Sequence, residues 1–144
     1  MSHLLSLVAG MLAIAAGLAT AADGQSVDEH FAQVRARGLG LNLYIDHCAS
    51  CHGRSGRGDG PFAEDMTVRP SDLTHMAERN GWVFPAVAVA HAIEGSDPAH
   101  RAGDMPRWGD IFRADAGEAT AKQRLEALTL YLEFMQTRPP RPRR

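Results

Sequence analysis

The residues carrying the most chemistry stand together: Cys48-Ala49-Ser50-Cys51-His52. Two thiols separated by two residues sit on one turn, where each can reach a vinyl group of the same porphyrin. The imidazole that follows then lies under the metal and can coordinate it. This Cys-x-x-Cys-His run predicts covalent attachment of one haem c through Cys48 and Cys51, with His52 as an iron ligand. Other uses of the thiols fit less well. A redox dithiol belongs in a βαβ surround, and no strand pattern flanks this site. A structural zinc site wants two more ligands at short spacing, and His75, His91 and His100 fit no finger pattern. Both cysteines of the chain lie inside the run.

A six-coordinate iron needs a second axial donor, and methionine opposite histidine raises the potential. The candidates are Met66, Met76, Met105 and Met135. Met135 continues the stripe Leu125, Leu128, Leu132 at spacings of three and four, which reads as helix core. Met66 follows His52 so closely that only a tight loop would bring it to the opposite haem face. Met76 stays open. Met105 lies in Gly103-Asp104-Met105-Pro106-Arg107-Trp108-Gly109, where proline stiffens the backbone and glycines permit close approach to a ring. Met105 is the expected ligand.

The elements that must position these groups read as helices. Ser26-Val27-Asp28-Glu29 has the form of a capping box, followed by Val27, Phe31 and Val34 at helical spacing, with Gly38 and Gly40 interrupting. A second stretch, from about Gly40 to Ala49, aligns Leu41, Tyr44, Ile45 and Cys48 and leads into the motif. Residues Gly53 to Pro61 are loop. Within it, Gly56-x-Gly58-x-Gly60 lacks the strand and spacing of a dinucleotide fingerprint, and Arg57-Gly58-Asp59 is a tripeptide expected by chance. Arg69-Pro70 is extended or turning, and Asp72 or Thr74 caps a short helix toward Arg79. Phe84-Pro85 opens another helix that stops at Gly95. A loop from Ser96 to Asp110 carries Met105. The last helix runs from about Gly117 to Thr137. No strand and no repeat emerges, so the fold class is all-α.

Composition is that of a single folded domain: 144 residues, 44% hydrophobic, 22% charged. A net charge of -2 gives no ground for a nucleic-acid partner. The apolar, alanine-rich run from Leu4 to Leu18, ending in Ala19-Thr20-Ala21-Ala22, reads as a secretory signal peptide over residues 1–22. An uncleaved anchor is the rival, and a membrane contact follows only if the segment is retained. The expected organisation is leader 1–22, haem domain 23–137, and a Pro/Arg-rich disordered tail 138–144. An exported location, the bacterial periplasm, follows from the leader.

Taken in order, Gly40-x-x-Leu43-Tyr44-x-x-His47-Cys48-Ala49-Ser50-Cys51-His52-Gly53, Gly56-Arg57-Gly58-Asp59-Gly60-Pro61, Pro70-x-Asp72-Leu73-Thr74 and Met105-Pro106-x-Trp108-Gly109 resemble bacterial class I c-type cytochromes. The resemblance covers about Arg37 to Gln136. It implies the cytochrome c fold, with the first and last helices crossing near Gly40, Tyr44 and Tyr131, and with His52 proximal and Met105 distal. It also implies that a backbone carbonyl, Pro70 by position, accepts the proximal imidazole N–H. One departure is the lysine ring used for docking by mitochondrial cytochrome c: here Lys122 is the lone lysine. Partners must differ in charge, or docking is mainly apolar around the haem edge.

Of the remaining residues, Trp108 is read as an indole donor to a haem propionate and Trp82 as packing. Arg79, Arg101 and Arg107 are propionate candidates set against ordinary solvation. His47, His75, His91 and His100 are read as core or surface histidines. The expectation is a single-electron carrier rather than an enzyme, exchanging electrons with redox protein partners as a monomer or as a subunit of a redox complex. Alternatives are a fixed haem subunit of an exported dehydrogenase or oxidase, and a gas- or peroxide-binding haem protein. No acid–base or nucleophilic site is visible.

Overall fold

The computed structural model describes residues 26–98 and 104–138. The expected leader, the candidates His100 and Arg101, and residues 139–144 of the expected tail lie outside the described residues. The chain divides into two compact units, Met1–Arg35 and Ala36–Arg144. In the first, residues 26–35 are helical, so Ser26 lies within a helix and not ahead of it as a cap. No helix among the described residues is long and apolar enough to cross a membrane.

The second unit is built from helices, and no strand occurs among its described residues. We number them α1 (residues 36–47), α2 (Ala49–His52), α3 (Met76–Arg79), α4 (Ala86–Glu94) and α5 (Trp108–Phe134). The fold is all-α, as the patterning predicts. Helix α1 passes through Gly38 and Gly40 without the expected interruption. A glycine costs a helix about 1 kcal/mol relative to alanine, but Gly40 sits where α1 crosses α5. A Cβ there would run into the Ala127 carbonyl and the Tyr131 side chain. One turn on, the Tyr44 ring meets the Tyr131 ring at 5.4 Å.

The core forms around this crossing. Tyr44, Phe112 and Leu128 are its largest fully buried side chains, joined by Leu43, Val89, Ile93 and Leu132. Helix α4 contributes Val89 and Ile93 and packs on α5. It lies where the punctuation places it, with Pro85 at its N-cap and Gly95, left-handed at φ 87°, at its C-cap.

Helix α5 begins earlier than expected. It starts at Trp108 and breaks at Gly117, whose φ of 78° and ψ of 170° are non-helical. The Met105 segment therefore ends at Arg107, not Asp110. Ionic contacts hold the early turns: Arg107 to Asp110 at 3.1 Å, Arg113 to Asp110 at 2.8 Å, and Arg113 to Glu94 of α4 at 3.1 Å. Arg124 spans the break, donating to Asp115 at 2.6 Å while its guanidinium lies over the Phe112 ring.

Candidate functional site

Helix α1 ends in a tight turn that delivers the motif. Cys48 N–H donates to Tyr44 O at 2.9 Å, and Cys48 O accepts from His52 N–H at 2.8 Å. Both thiols and the imidazole thus issue from one turn. The glycine loop then folds back on α2: Gly58 N–H donates to His52 O and Gly60 N–H to Cys51 O. Tyr44, fully buried, donates its hydroxyl to Gly53 O at 2.6 Å and fixes the loop's first residue. Burial, reinforced by the neighbouring Cys48 and Tyr131, holds the Tyr44 phenol far above its ordinary pKa, so it remains a donor.

The loop brings the 70–73 segment beneath His52. Leu73 N–H donates to Gly56 O at 2.7 Å, and His52 Nδ1 lies 3.1 Å from Ser71 O. The acceptor is therefore Ser71, one residue beyond Pro70, and the expected role of the Pro70 carbonyl is corrected. The Pro70 carbonyl itself lies against Gly58, where a Cβ would collide with it. With Nδ1 occupied as donor, Nε2 is the nitrogen left for a metal. Burial lowers the His52 pKa, opposed by the Ser71 bond, which favours the neutral ring that ligation requires.

These groups line one cavity of about 420 Å³, within the range of cofactor and small-molecule sites. Cys48, Cys51, His52, Pro70, Met105 and Trp108 all border it. So do Met66 and Met76, which leaves three thioethers at the cavity, whereas Met135 caps α5 and packs against the core. Met66 reaches it on the cysteine side, its sulfur 4.0 Å from Cys51 Sγ. Burial, with the adjacent Cys51, pushes the Cys48 thiol up to about 12.

The walls are mostly apolar: Val89 and Ile93 from α4, Leu128 and Leu132 from α5, Leu73 and Val68 from the loops. Arg79 also borders the cavity, its guanidinium donating to Asp72 O at 2.8 Å, while Arg107, Trp82, His75 and His91 do not. His75 instead pairs with Asp72 at 3.2 Å. His47 does border the cavity, its ring 4.9 Å from Trp108 and 5.6 Å from Phe112. Residue typing had placed it in the core or at the surface; its one-residue offset from Cys48 was the signal that puts it at the site.

Two thiols on one turn, an imidazole with one nitrogen tied, thioethers bordering the same apolar cavity: this donor set suits an iron porphyrin. The cytochrome c family model matches residues 38–135. The chain belongs to the cytochrome c family. That membership implies haem c and haem-based electron transfer, and the family generally carries electrons rather than catalysing reactions. It also implies redox partners. No curated protein and no solved structure matches the chain.

Proposed function

We propose that this cytochrome c family member is a single-electron carrier of the bacterial periplasm, with haem c bound through Cys48 and Cys51 and with His52 and Met105 as axial ligands. The observation that supports it most is the convergence of both thiols, the Ser71-tethered imidazole and Met105 on one apolar cavity. Bound there, the haem supplies the Fe(III)/Fe(II) couple. The chain's share is to hold the two donors and keep water away. Ser71 fixes the His52 ring and makes it more basic, which favours Fe(III). A thioether from Met105 favours Fe(II) and raises the potential. Apolar walls from α4 and α5 reinforce the second effect by disfavouring the more highly charged form. The apolar run at residues 4–18 with its small-residue end supports export. With Lys122 as its lone lysine, the chain does not dock through a lysine ring: its partners differ in charge from those of mitochondrial cytochrome c, or docking is mainly apolar around the haem edge.

The test is absorbance of the haem-loaded protein, oxidised, reduced, and reduced with carbon monoxide, for wild type and Met105→Ala. The reading expects a weak far-red band and indifference to carbon monoxide in wild type, both lost in the variant. Carbon monoxide binding by wild type, or an unchanged variant, refutes it; the latter redirects the assignment to Met66 or Met76.

A further inference from the structure

Asp104 stands one residue before Met105, and its carboxylate is engaged far along the chain. Thr67 N–H donates to Asp104 Oδ2 at 2.6 Å across 37 residues. The bond joins two segments that border the same cavity: Met66 and Val68 flank the donor, and Met105 and Pro106 follow the acceptor. Neither segment belongs to a helix, so neither is held by a helical hydrogen-bond ladder. Downstream, the Met105 segment is anchored where Arg107 begins α5. Among the described residues, the Thr67 contact anchors it on the other side of the methionine. A carboxylate accepting a backbone N–H at this distance is a charge-assisted bond, stronger than a neutral one.

We propose that Asp104 is a positioning residue for the distal ligand: its bond to Thr67 clamps the Met105 segment to the Met66–Val68 segment at the cavity and sets how readily the thioether leaves the iron. The proposal rests on Met105 being the axial donor. A thioether is a neutral, weak ligand, so its occupancy depends on how much of the time the chain presents it. Releasing the clamp frees backbone that must be ordered again each time the sulfur binds. The clamp also explains a choice that composition does not: an aspartate at an exposed loop position beside an apolar ligand, with its acceptor committed to a main-chain donor.

The test is titration of the ferric, haem-loaded protein with imidazole, which occupies the distal position only when the thioether has left. Asp104→Ala is expected to bind imidazole about tenfold more tightly than wild type, the equivalent of about 1.4 kcal/mol. Asp104→Asn keeps a side-chain oxygen as acceptor and is expected to stay within about threefold of wild type, given the lower strength of a neutral bond. Hydrogen exchange supplies a second readout. In wild type the Thr67 amide is protected; in Asp104→Ala it exchanges quickly while amides in the Leu125–Leu132 turns of α5 stay protected, which separates an opened clamp from a loosened fold. Met105→Ala is the control. Wild-type imidazole affinity in Asp104→Ala beside a much tighter Met105→Ala overturns the clamp alone, as does an unprotected Thr67 amide in wild type. A Met105→Ala that binds imidazole no better than wild type overturns the ligand assignment, and the clamp with it.

Discussion

Two glycines on α1 separated by one residue are expected to respond to the same substitution with opposite signs. Replacing glycine by alanine in a helix gains about 0.8–1.0 kcal/mol. At Gly38 an added Cβ meets nothing within 4 Å, so that gain is the whole effect. At Gly40 the Cβ would stand 2.7 Å from Tyr131 Cβ and 2.8 Å from the Ala127 carbonyl carbon. Carbon pairs prefer about 3.5–4.0 Å, so the helices must part by roughly 1 Å. Neither neighbour is the tip of a flexible side chain that could swing aside. Overpacking of this kind costs about 1–3 kcal/mol, and parting the crossing also loosens Tyr44, Leu128 and Leu132. With backbone atoms as the obstacle the upper part of that range applies, and after the propensity gain we expect a net loss of about 1–2 kcal/mol. For a domain near 100 residues that lowers the melting temperature by about 5–15 °C, while Gly38→Ala raises it by a few degrees. Thermal unfolding of the haem-loaded protein by far-ultraviolet circular dichroism measures both. Because residue type and helix are the same, unfolded-state effects nearly cancel between the pair. A Gly40→Ala protein as stable as wild type would refute the crossing geometry.

Gly58→Ala places a side chain at φ +73° and against the Pro70 carbonyl, so the 70–71 backbone shifts and the His52–Ser71 bond loosens. Stability falls by about 1–2 kcal/mol from the left-handed backbone alone, and the midpoint potential rises because the imidazole becomes less basic; an unchanged or lower potential in a redox titration contradicts this. Tyr44→Phe removes one of two donors to the Gly53 carbonyl, which keeps the Gly56 N–H, and is expected to cost about 0.5–1.5 kcal/mol in guanidinium unfolding, with a loss below a few tenths counting against the bond. For Asp72, burial pushes the carboxyl up, but hydrogen bonds from the Thr74 hydroxyl and amide and from His75 outweigh it, and the pKa is lowered. Its contribution is complete above the ordinary carboxylate value of about 3.9 and is lost as pH falls through the depressed native value. Asp72→Asn should therefore lower stability by a constant amount above about pH 4 and converge with wild type as pH falls, which flattens the acid limb of the stability–pH curve; an equal downward displacement that persists at the lowest pH would show a role unrelated to charge.

Local chemistry was legible in the residues, and what depends on approach between distant segments was not. The motif at Cys48–His52 and the Pro85 and Gly95 that bound α4 act through their neighbours in sequence, so spacing exposes them. The imidazole acceptor depends on how far Gly58 lets the 70–73 segment approach, a distance with no local signature, and the expectation fell one residue short at Pro70. The start of α5 looked like loop because Trp108-Gly109-Asp110 follows proline. What turns it into helix includes the pairing of Arg113 with Glu94, which lies on another helix. Gly40 read as an interruption for the same reason: its partner Ala127 is far along the chain. Spacing could order Met66, Met76 and Met105 by plausibility, yet all three border the cavity, because a loop's path is set by bonds such as that between Thr67 and Asp104.

The end of α5 has a consequence in time. Gln136 donates to Leu73 O and Leu132 O and accepts from Ala77 N–H, and Thr137 N–H donates to Thr74 O. The 73–77 stretch, which supplies Leu73 and Met76 to the cavity wall, is thus stitched down by residues about 60 positions later in the chain. During synthesis, Cys48 and Cys51 emerge long before the residues that close the wall beside them. Until Gln136 and Thr137 arrive, the pocket has an unfastened side. On the proposed reading, a group as large and rigid as a porphyrin would reach the thiols through that side before residues 136 and 137 close it.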